Sequence, residues 1–530
     1  MTREEIIMQS KRNGIGYVLA GTLAAVCTQT AFGVTLNTRG EGQVLLFPYY
    51  TANANNNTLI SIVNTQAIGK ALRVRFAEGE NGRDAYSLNV YLGPYDTWPA
   101  AIGQSVGTSV ATLVSSDSSC TVPGIPLAGV QFSNAAFSGA NADPGDSGLS
   151  RTLEGSIEVI EMGTIVRNSL TDQALGKNCE FLIEGWSPPG FFISADNPAP
   201  YYWHLNPDTD LLNPTGGLYG TGYIVNVEQG TIFAYDAAAL GGFRSDPLDQ
   251  PRGTKSSVVL HTAPGNAHPN LADALSDPAT NIVVAEAEAD DGHVTATYPA
   301  LSQAIDAVSA VLMASTIAND YEADPGAGAT TNFIFSYPTR RFYTDAAIVG
   351  DEVIQPFAQL FAGIQNTVVE YGDIAFFDRE GKGPPHGSCP AFGCLDPVSN
   401  PGTTVELLNF GAGADAILGS ALNMDFARDV YLGPPSSSLV HAGRFFFSLA
   451  LRHGPPVSPS PPGRRMLRQS IEGKYFWGLP VLGFGAQNLV NANVQNGVLA
   501  NYSSAVTHRI TAKCNLAVAG FVQATDPPCP

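Results

Sequence analysis

A mostly β fold, made of antiparallel sandwich-type sheets with a smaller, mainly helical insertion, is what this 530-residue sequence predicts. Three observations lead there. Gly (55) and Pro (37) make up almost a fifth of the chain, and both favour short strands joined by turns over long helices. Apolar segments recur at short intervals with turn-formers between them. Hydrophobic residues reach 44% and charged residues only 14%, so the chain carries enough apolar surface to fold rather than stay disordered.

The first element is a leader. Lys11 and Arg12 precede the apolar run GIGYVLAGTLAAVC (14–27), and Ala31-Phe32-Gly33 offers small residues at the positions a signal peptidase reads. The run is too short to cross a bilayer comfortably. Residues 1–33 are therefore expected to be a signal peptide, cleaved near Gly33. Cys27 opens a lipoprotein alternative, but Val26 is a poor residue before a lipidated cysteine. No later segment is long and apolar enough for a transmembrane anchor, so an exported chain in the periplasm, at the cell surface or outside a Gram-negative cell is expected.

The β-rich region 34–254 follows. VLLFPYY (44–50), TLISIVNT (58–65), KALRVRFAEG (70–79) and SLNVYLG (87–93) alternate with ANANNN, GENG and GPYD turns. In SLNVYLG, Leu88, Val90 and Leu92 share one face and Asn89 and Tyr91 the other, the period of a half-buried strand. Further strands are expected at 156–166, 180–186 and 222–237. VYLGP (90–94) returns at 430–434; both copies read as strand ends stopped by Gly-Pro.

Region 255–325 is expected to be the helical insertion. Within ALSQAIDAVSAVLMASTIAND (300–320), Leu301, Ile305, Val308, Leu312 and Ile317 recur at helical spacing. A second β-rich region, 326–530, has strands expected at 332–345, 367–378 and 403–410. It could join 34–254 in one composite sandwich. Within it, 452–470 reads as an exposed Pro-rich loop.

Charge and sulfur narrow the function classes. The formal charge is −20, and removal of the leader's net +1 leaves −21, a sign that disfavours nucleic acid and anionic lipid. Six cysteines remain in the exported chain, an even count that points to disulfides. Proximity in sequence pairs Cys120 with Cys179, Cys389 with Cys394, and Cys514 with Cys529. A metal reading of His386, Cys389 and Cys394 lacks a fourth ligand.

Catalytic patterns were weighed against their chemistry. Gly145-Asp146-Ser147-Gly148 has the look of a serine-protease nucleophile segment, but that family's triad runs His, Asp, Ser, and the first histidine here is His204. NADPGDSG reads better as a turn, with Asn141, Asp143 and Asp146 as candidate calcium ligands; calcium is the one cofactor considered. GQSVG (103–107) around Ser105 needs a strand before it and a helix after it, and TSVATLVSS is strand-like. His261 and His268, with Asp273, read as surface-loop residues. Phe47-Pro48-Tyr49-Tyr50 and Tyr201-Tyr202-Trp203 supply aromatics for sheet packing, or for stacking on a glycan. No catalytic residue is assigned.

Taken together, TLISIVNT, KALRVRFAEGENGRDAYSLNVYLGPYDTW, GYIVNVEQGTIFAYDAAAL, FSYPTRRFYTD and GLPVLGFGAQNLVNANVQNGVLANYSSAVTHR resemble a family of exported proteobacterial proteins described as hypothetical or cell-surface proteins. The resemblance implies a secreted β architecture and carries no site residue. The expected function is that of a cell-surface or extracellular structural protein, whose partners are further copies of itself or other envelope components. The alternative is a carbohydrate-binding or carbohydrate-cleaving β-sandwich.

Overall fold

All eight residues of the strand Val44–Thr51 are buried, and its two faces feed different cores. Leu45, Phe47 and Tyr49 enter one apolar cluster, whereas Val44 and Leu46 enter another. That double burial sets the architecture, because a strand apolar on both faces must lie between two layers. The computed structural model describes residues 33–187, 202–245, 258–364, 371–383, 402–411, 417–423, 438–453, 463–495, 498–517, 522 and 526–530. The fold is mostly β, with several antiparallel sheets and few helices.

The first sheet has ten strands. From one edge they run Gly292–Pro299, Ile282–Ala289, Val34–Leu36, Ala238–Gly241, Val44–Thr51, Glu154–Ile165, Lys70–Glu78, Asp84–Leu92 and Cys120–Val122, with Leu211–Leu212 branching off. One pairing is parallel, between Val34–Leu36 and Ile282–Ala289. The second sheet orders Thr231–Asp236, Leu218–Asn226, Asn57–Asn64, Thr97–Gln104, Ala111–Val114 and Val130–Gln131. Its inner face packs on the first sheet through Ile60, Ile62, Trp98, Ile102, Ile224 and Phe233.

The later part of the chain builds two more sheets. One contains Tyr371–Asp378, Ala442–His453, Thr316–Glu322 and Arg509–Thr511; the other contains Val405–Gly411, Ala329–Ser336, Leu482–Gln495 and Val498–Thr507. Ile334, Phe484 and Ala486 join the core between the first two sheets, whereas Phe333 and Phe335 face Phe445 and Phe447. The described residues from 33 onward form one unit, so both β-rich regions share a body.

Three expectations need correction. Region 255–325 is not mainly helical: it contributes Ile282–Ala289, Gly292–Pro299 and Thr316–Glu322 to sheets, with a single α-helix, Ala300–Ala310. That helix buries Ile305 and Val308 but leaves Leu301 in solvent. Beyond it Met313 and Ala314 pair with Pro480 and Leu479, and the β-branched Thr316 and Ile317 pair with Ser448 and Phe447, so strand replaces the rest of the expected helix. Residues 180–186, expected as strand, lie in the helix Cys179–Gly185, where the Asn178 side chain caps the Phe181 N–H. Finally, Asp84–Leu92 is not half-wet. Asn89 and Tyr91 are as buried as Leu88, Val90 and Leu92.

Cys120–Cys179 and Cys514–Cys529 are disulfides, as sequence proximity indicates. Cys389 and Cys394 lie outside the described residues, as does the second VYLGP; in the first, Leu92 ends a strand with its side chain in the core. Among the described residues no helix is long and apolar enough to cross a membrane.

Candidate functional site

Polar chemistry concentrates where the two β-rich regions meet. The turn between strands Lys70–Glu78 and Asp84–Leu92 brings Glu78, Glu80, Asn81 and Arg83 against the loop bearing Asp143 and Arg151. Glu78 accepts hydrogen bonds from the backbone N–H groups of Glu80, Asn81 and Arg83, which shapes the turn. Arg151 forks between two carboxylates. Its Nε and Nη2 donate to Glu78 at 2.7 and 3.0 Å, and Nη1 and Nη2 donate to Asp143 at 2.7 and 2.8 Å. Arg83 makes a second fork, to Asp345 at 2.8 and 2.6 Å, joining this turn to the later half of the chain. A Cβ at Gly145 would collide with Glu80 and Arg151, so glycine is what lets the loop close over the pair.

The fork engages one of the calcium candidates. Burial acts to raise the Asp143 carboxyl, but the hydrogen bonds and charge of Arg151 hold it below the usual carboxylate range. Both oxygens of Asp143 are already bound to a cation of the chain itself. Asp146 accepts from the Gly148 N–H and the Ser150 hydroxyl, and Asn141 donates to the Ala135 carbonyl. The three candidates share a loop, and Arg151 already supplies a cation to both oxygens of Asp143. Glu80 differs: burial lifts it, against the pull of Arg151, to about 7.

A second ion-pair group lies deeper. Arg75 pairs with Asp84 and with Glu158 (3.4 Å), and Arg341 reaches Asp84 at 3.3 Å. Beside them a small cavity is lined by Leu46, Phe47, Ile157 and Leu482 together with Arg75, Glu158, Ser336, Arg341 and Thr404. Arg75 Nε, Arg341 Nε, Ser336 Oγ and Thr404 Oγ1 are buried without a hydrogen-bond partner. The space suits one water-sized molecule, which could satisfy several of these atoms at once. Two cations against two carboxylates balance, so the cavity has no net charge to select an ion.

The aromatic candidates are placed differently from a glycan platform. Phe47, Tyr49, Tyr50 and Trp203 are buried. Trp203 stacks on Tyr91 (5.0 Å between ring centres), meets His261 edge-on, and donates its Nε1–H to the Thr209 carbonyl. Tyr202 stacks on Phe181 and shares a hydrogen bond with Thr171, and Tyr201 lies outside the described residues. With both faces occupied, Trp203 has none to offer a sugar ring.

His261, expected on a surface loop, is 2% exposed. Its Nδ1 lies 2.6 Å from the Pro207 carbonyl and its Nε2 2.9 Å from the Tyr91 hydroxyl. Burial drives its pKa down to about 3, so the ring is neutral, with Nδ1–H donating and Nε2 accepting from Tyr91. His268 pairs instead with Asp273 at 2.8 Å. The Tyr91–His261–Trp186 network was not legible because its members come from segments 75 to 170 residues apart. Ser105 sits at the start of a hairpin loop between two strands, hydrogen-bonded to Thr112, and Ser147 lies in an exposed turn. Neither has a strand–helix elbow.

The surface with a distinct chemical character is the outer face of the second sheet. Every strand from Thr231–Asp236 to Ala111–Val114 alternates buried and exposed residues. The register aligns Val114, Ala101, Leu59, Tyr223 and Ala234 as successive cross-strand partners, an apolar row across five strands. Val225 and Ile232 extend it in the neighbouring row. Asp236 is the sole Asp, Glu, Lys, Arg or His on these five strands' outer positions.

No protein-family model matches the chain, nor does any curated protein or solved structure. Among the described residues, no group of three or more His, Cys, Asp or Glu side chains is arranged to hold a metal ion.

Proposed function

We propose that this chain is an exported, disulfide-stabilised protein of the cell surface that works by assembling with further copies of itself. The observation that carries the reading is the nearly charge-free outer face of the second sheet, on a chain whose formal charge is −20. Two such chains repel each other over most of their surfaces. A face with one carboxylate and a row of Val, Ala, Leu and Tyr is where they can approach at least cost. Five strands at about 4.8 Å spacing and ~23 Å length give a face of roughly 500 Å² per copy. A standard interface buries roughly 800 Å² per partner, so this face provides the core of one and the flanking loops its rim. Export is supported by the leader pattern and by disulfides, which persist in oxidising compartments.

Sedimentation velocity over a concentration series tests the reading. The wild-type chain should self-associate with rising concentration, more strongly at high salt, which screens the net charge. Leu59→Glu/Ile232→Glu places like charges on the face and should remain monomeric. A wild-type chain that stays monomeric throughout, or a variant that associates equally well, sinks the proposal.

A further inference from the structure

The strand Val34–Leu36 poses a problem of chain entry. It has three residues, yet it lies inside the ten-stranded sheet, antiparallel to Ala238–Gly241 on one side and parallel to Ile282–Ala289 on the other. Val34 is fully buried and contributes to the core. Immediately before it, Gly33 is also buried, and a Cβ there would stand 2.8 Å from the Val284 carbonyl oxygen and 2.9 Å from Glu286 Cγ. At that point only glycine fits. The same glycine is the small residue that ends the leader pattern Ala31-Phe32-Gly33.

The charges around it are unbalanced. Glu286 pairs with Thr35 across the parallel register, and its Oε2 is held by His293 Nε2 and the Thr295 hydroxyl, each at 2.7 Å. His293 Nδ1 lies 2.9 Å from Glu288 Oε1. Two carboxylates share one imidazole, so even with His293 protonated the cluster keeps a net negative charge beside the start of the strand.

We propose that the Gly33–Val34 bond is the processing site, and that the Val34 ammonium it releases is received by the Val284 carbonyl and the Glu286 carboxylate. A signal peptidase hydrolyses the bond: the hydroxyl of water goes to the Gly33 carbonyl carbon, its hydrogen goes to the Val34 nitrogen, and that amine takes up a further proton from solvent. Cleavage introduces a positive charge beside the glutamate cluster. The new terminus then begins a strand that is already paired on both sides within the first sheet. The inference rests on the export reading and adds the bond and the receiving groups.

The test uses the full chain expressed with export in a Gram-negative host. Intact mass and N-terminal sequencing of the purified protein should show Val34 first. Gly33→Ala should be cut at the same bond, because alanine is also small, and should yield a product with the mass and Tm of wild type. The Val34 amine of the folded protein should react with an amine-acylating reagent ~10-fold more slowly than after unfolding in urea, since access requires local opening. Glu286→Gln should remove most of that protection while keeping the same terminus. An exported chain that begins elsewhere, including a lipid-bearing Cys27, overturns the inference and leaves export intact. So does an unprotected Val34 amine, or a Gly33→Ala product with a lowered Tm. A chain that keeps its full leader-bearing mass in the cytoplasmic fraction overturns export itself.

Discussion

The two sheets of the first sandwich make opposite use of similar segments. KALRVRFAE in the first sheet and NTLISIVN in the second both alternate apolar and polar residues. In the second sheet the polar phase faces solvent. In the first sheet it is covered: Arg73 donates to Asn89 and to the Ala263 and Asn266 carbonyls, while Lys70 meets Glu161 at 2.7 Å with both side chains fully buried. Burial pulls Arg73 down to about 10. A buried cation needs a partner for each hydrogen-bonding group, so the first sheet's outer phase is held by specific pairings brought from distant segments. The second sheet's outer phase has no such pairings to satisfy and is available to a partner. Charge hidden in one sheet fixes the scaffold, and charge absent from the other marks the surface we propose for contact.

The comparison breaks most visibly at Arg151. Arg151→Leu leaves Glu78 and Asp143 buried without their cation, and should cost about 3–5 kcal/mol in denaturant unfolding. A loss under ~1 kcal/mol, the range of an exposed ion pair, would mean that the fork is solvated and the junction not a scaffold element. Next comes Cys120→Ser/Cys179→Ser, which frees a 59-residue separation and should cost ~2–4 kcal/mol. An unchanged midpoint under oxidising conditions would count against this bridge as a stabiliser of the first sheet's edge.

Buried titratable groups give the third prediction. Burial raises Glu406 from the usual 4.5 to about 8, Glu80 to about 7, and Asp306 from 3.8 to about 6. A carboxyl raised on folding contributes stability at acid pH that is lost as pH rises through its folded value. His261 and His508 are lowered by burial, from 6.5 to about 3 and about 4, so their contribution is present above 6.5 and lost as pH falls. The two sets oppose each other from about 4.5 to 6.5. Above that window only the carboxyl effect remains, reaching to about 8. Tm should therefore peak in mild acid and decline from pH 6.5 to 8, and Glu406→Gln should flatten that alkaline decline. An unchanged decline in the variant would assign it to other groups.

What the sequence reveals follows from how local the cause is. Strands bounded by Gly, Pro and Asn were legible because turn chemistry is local, and both described disulfides join cysteines that sequence proximity had already paired. The helix at 300–320 was half legible: the Ala-rich start forms it, and strand pairing with residues more than 120 positions away replaces the rest. The junction was not legible. Asp143 was visible as an oxygen ligand, but nothing nearby shows that Arg151, Glu78 and Asn81 would occupy it. Likewise the sequence leaves Trp203 between sheet packing and glycan stacking, and only Tyr91 and His261, 112 and 58 residues away, decide for packing.

The finest test of the contrast uses two adjacent residues. Leu59 and Ile60 follow one another in the strand Asn57–Asn64, with Leu59 on the outer row at 41% exposure and Ile60 in the core at 2%. Ile60→Glu puts an unpaired carboxylate between the sheets and should cost several kcal/mol, of the order of ~3 or more. Leu59→Glu leaves that core untouched and should shift stability by only ~0.5 kcal/mol in the monomer. It should nonetheless weaken self-association, because the charge enters the apolar row beside Ala101 and Tyr223. Unfolding measured at dilution separates these effects from assembly. If Leu59→Glu destabilises the dilute monomer as much as Ile60→Glu does, the outer row is part of the fold's own core, and the distinction between a scaffold sheet and a contact sheet fails.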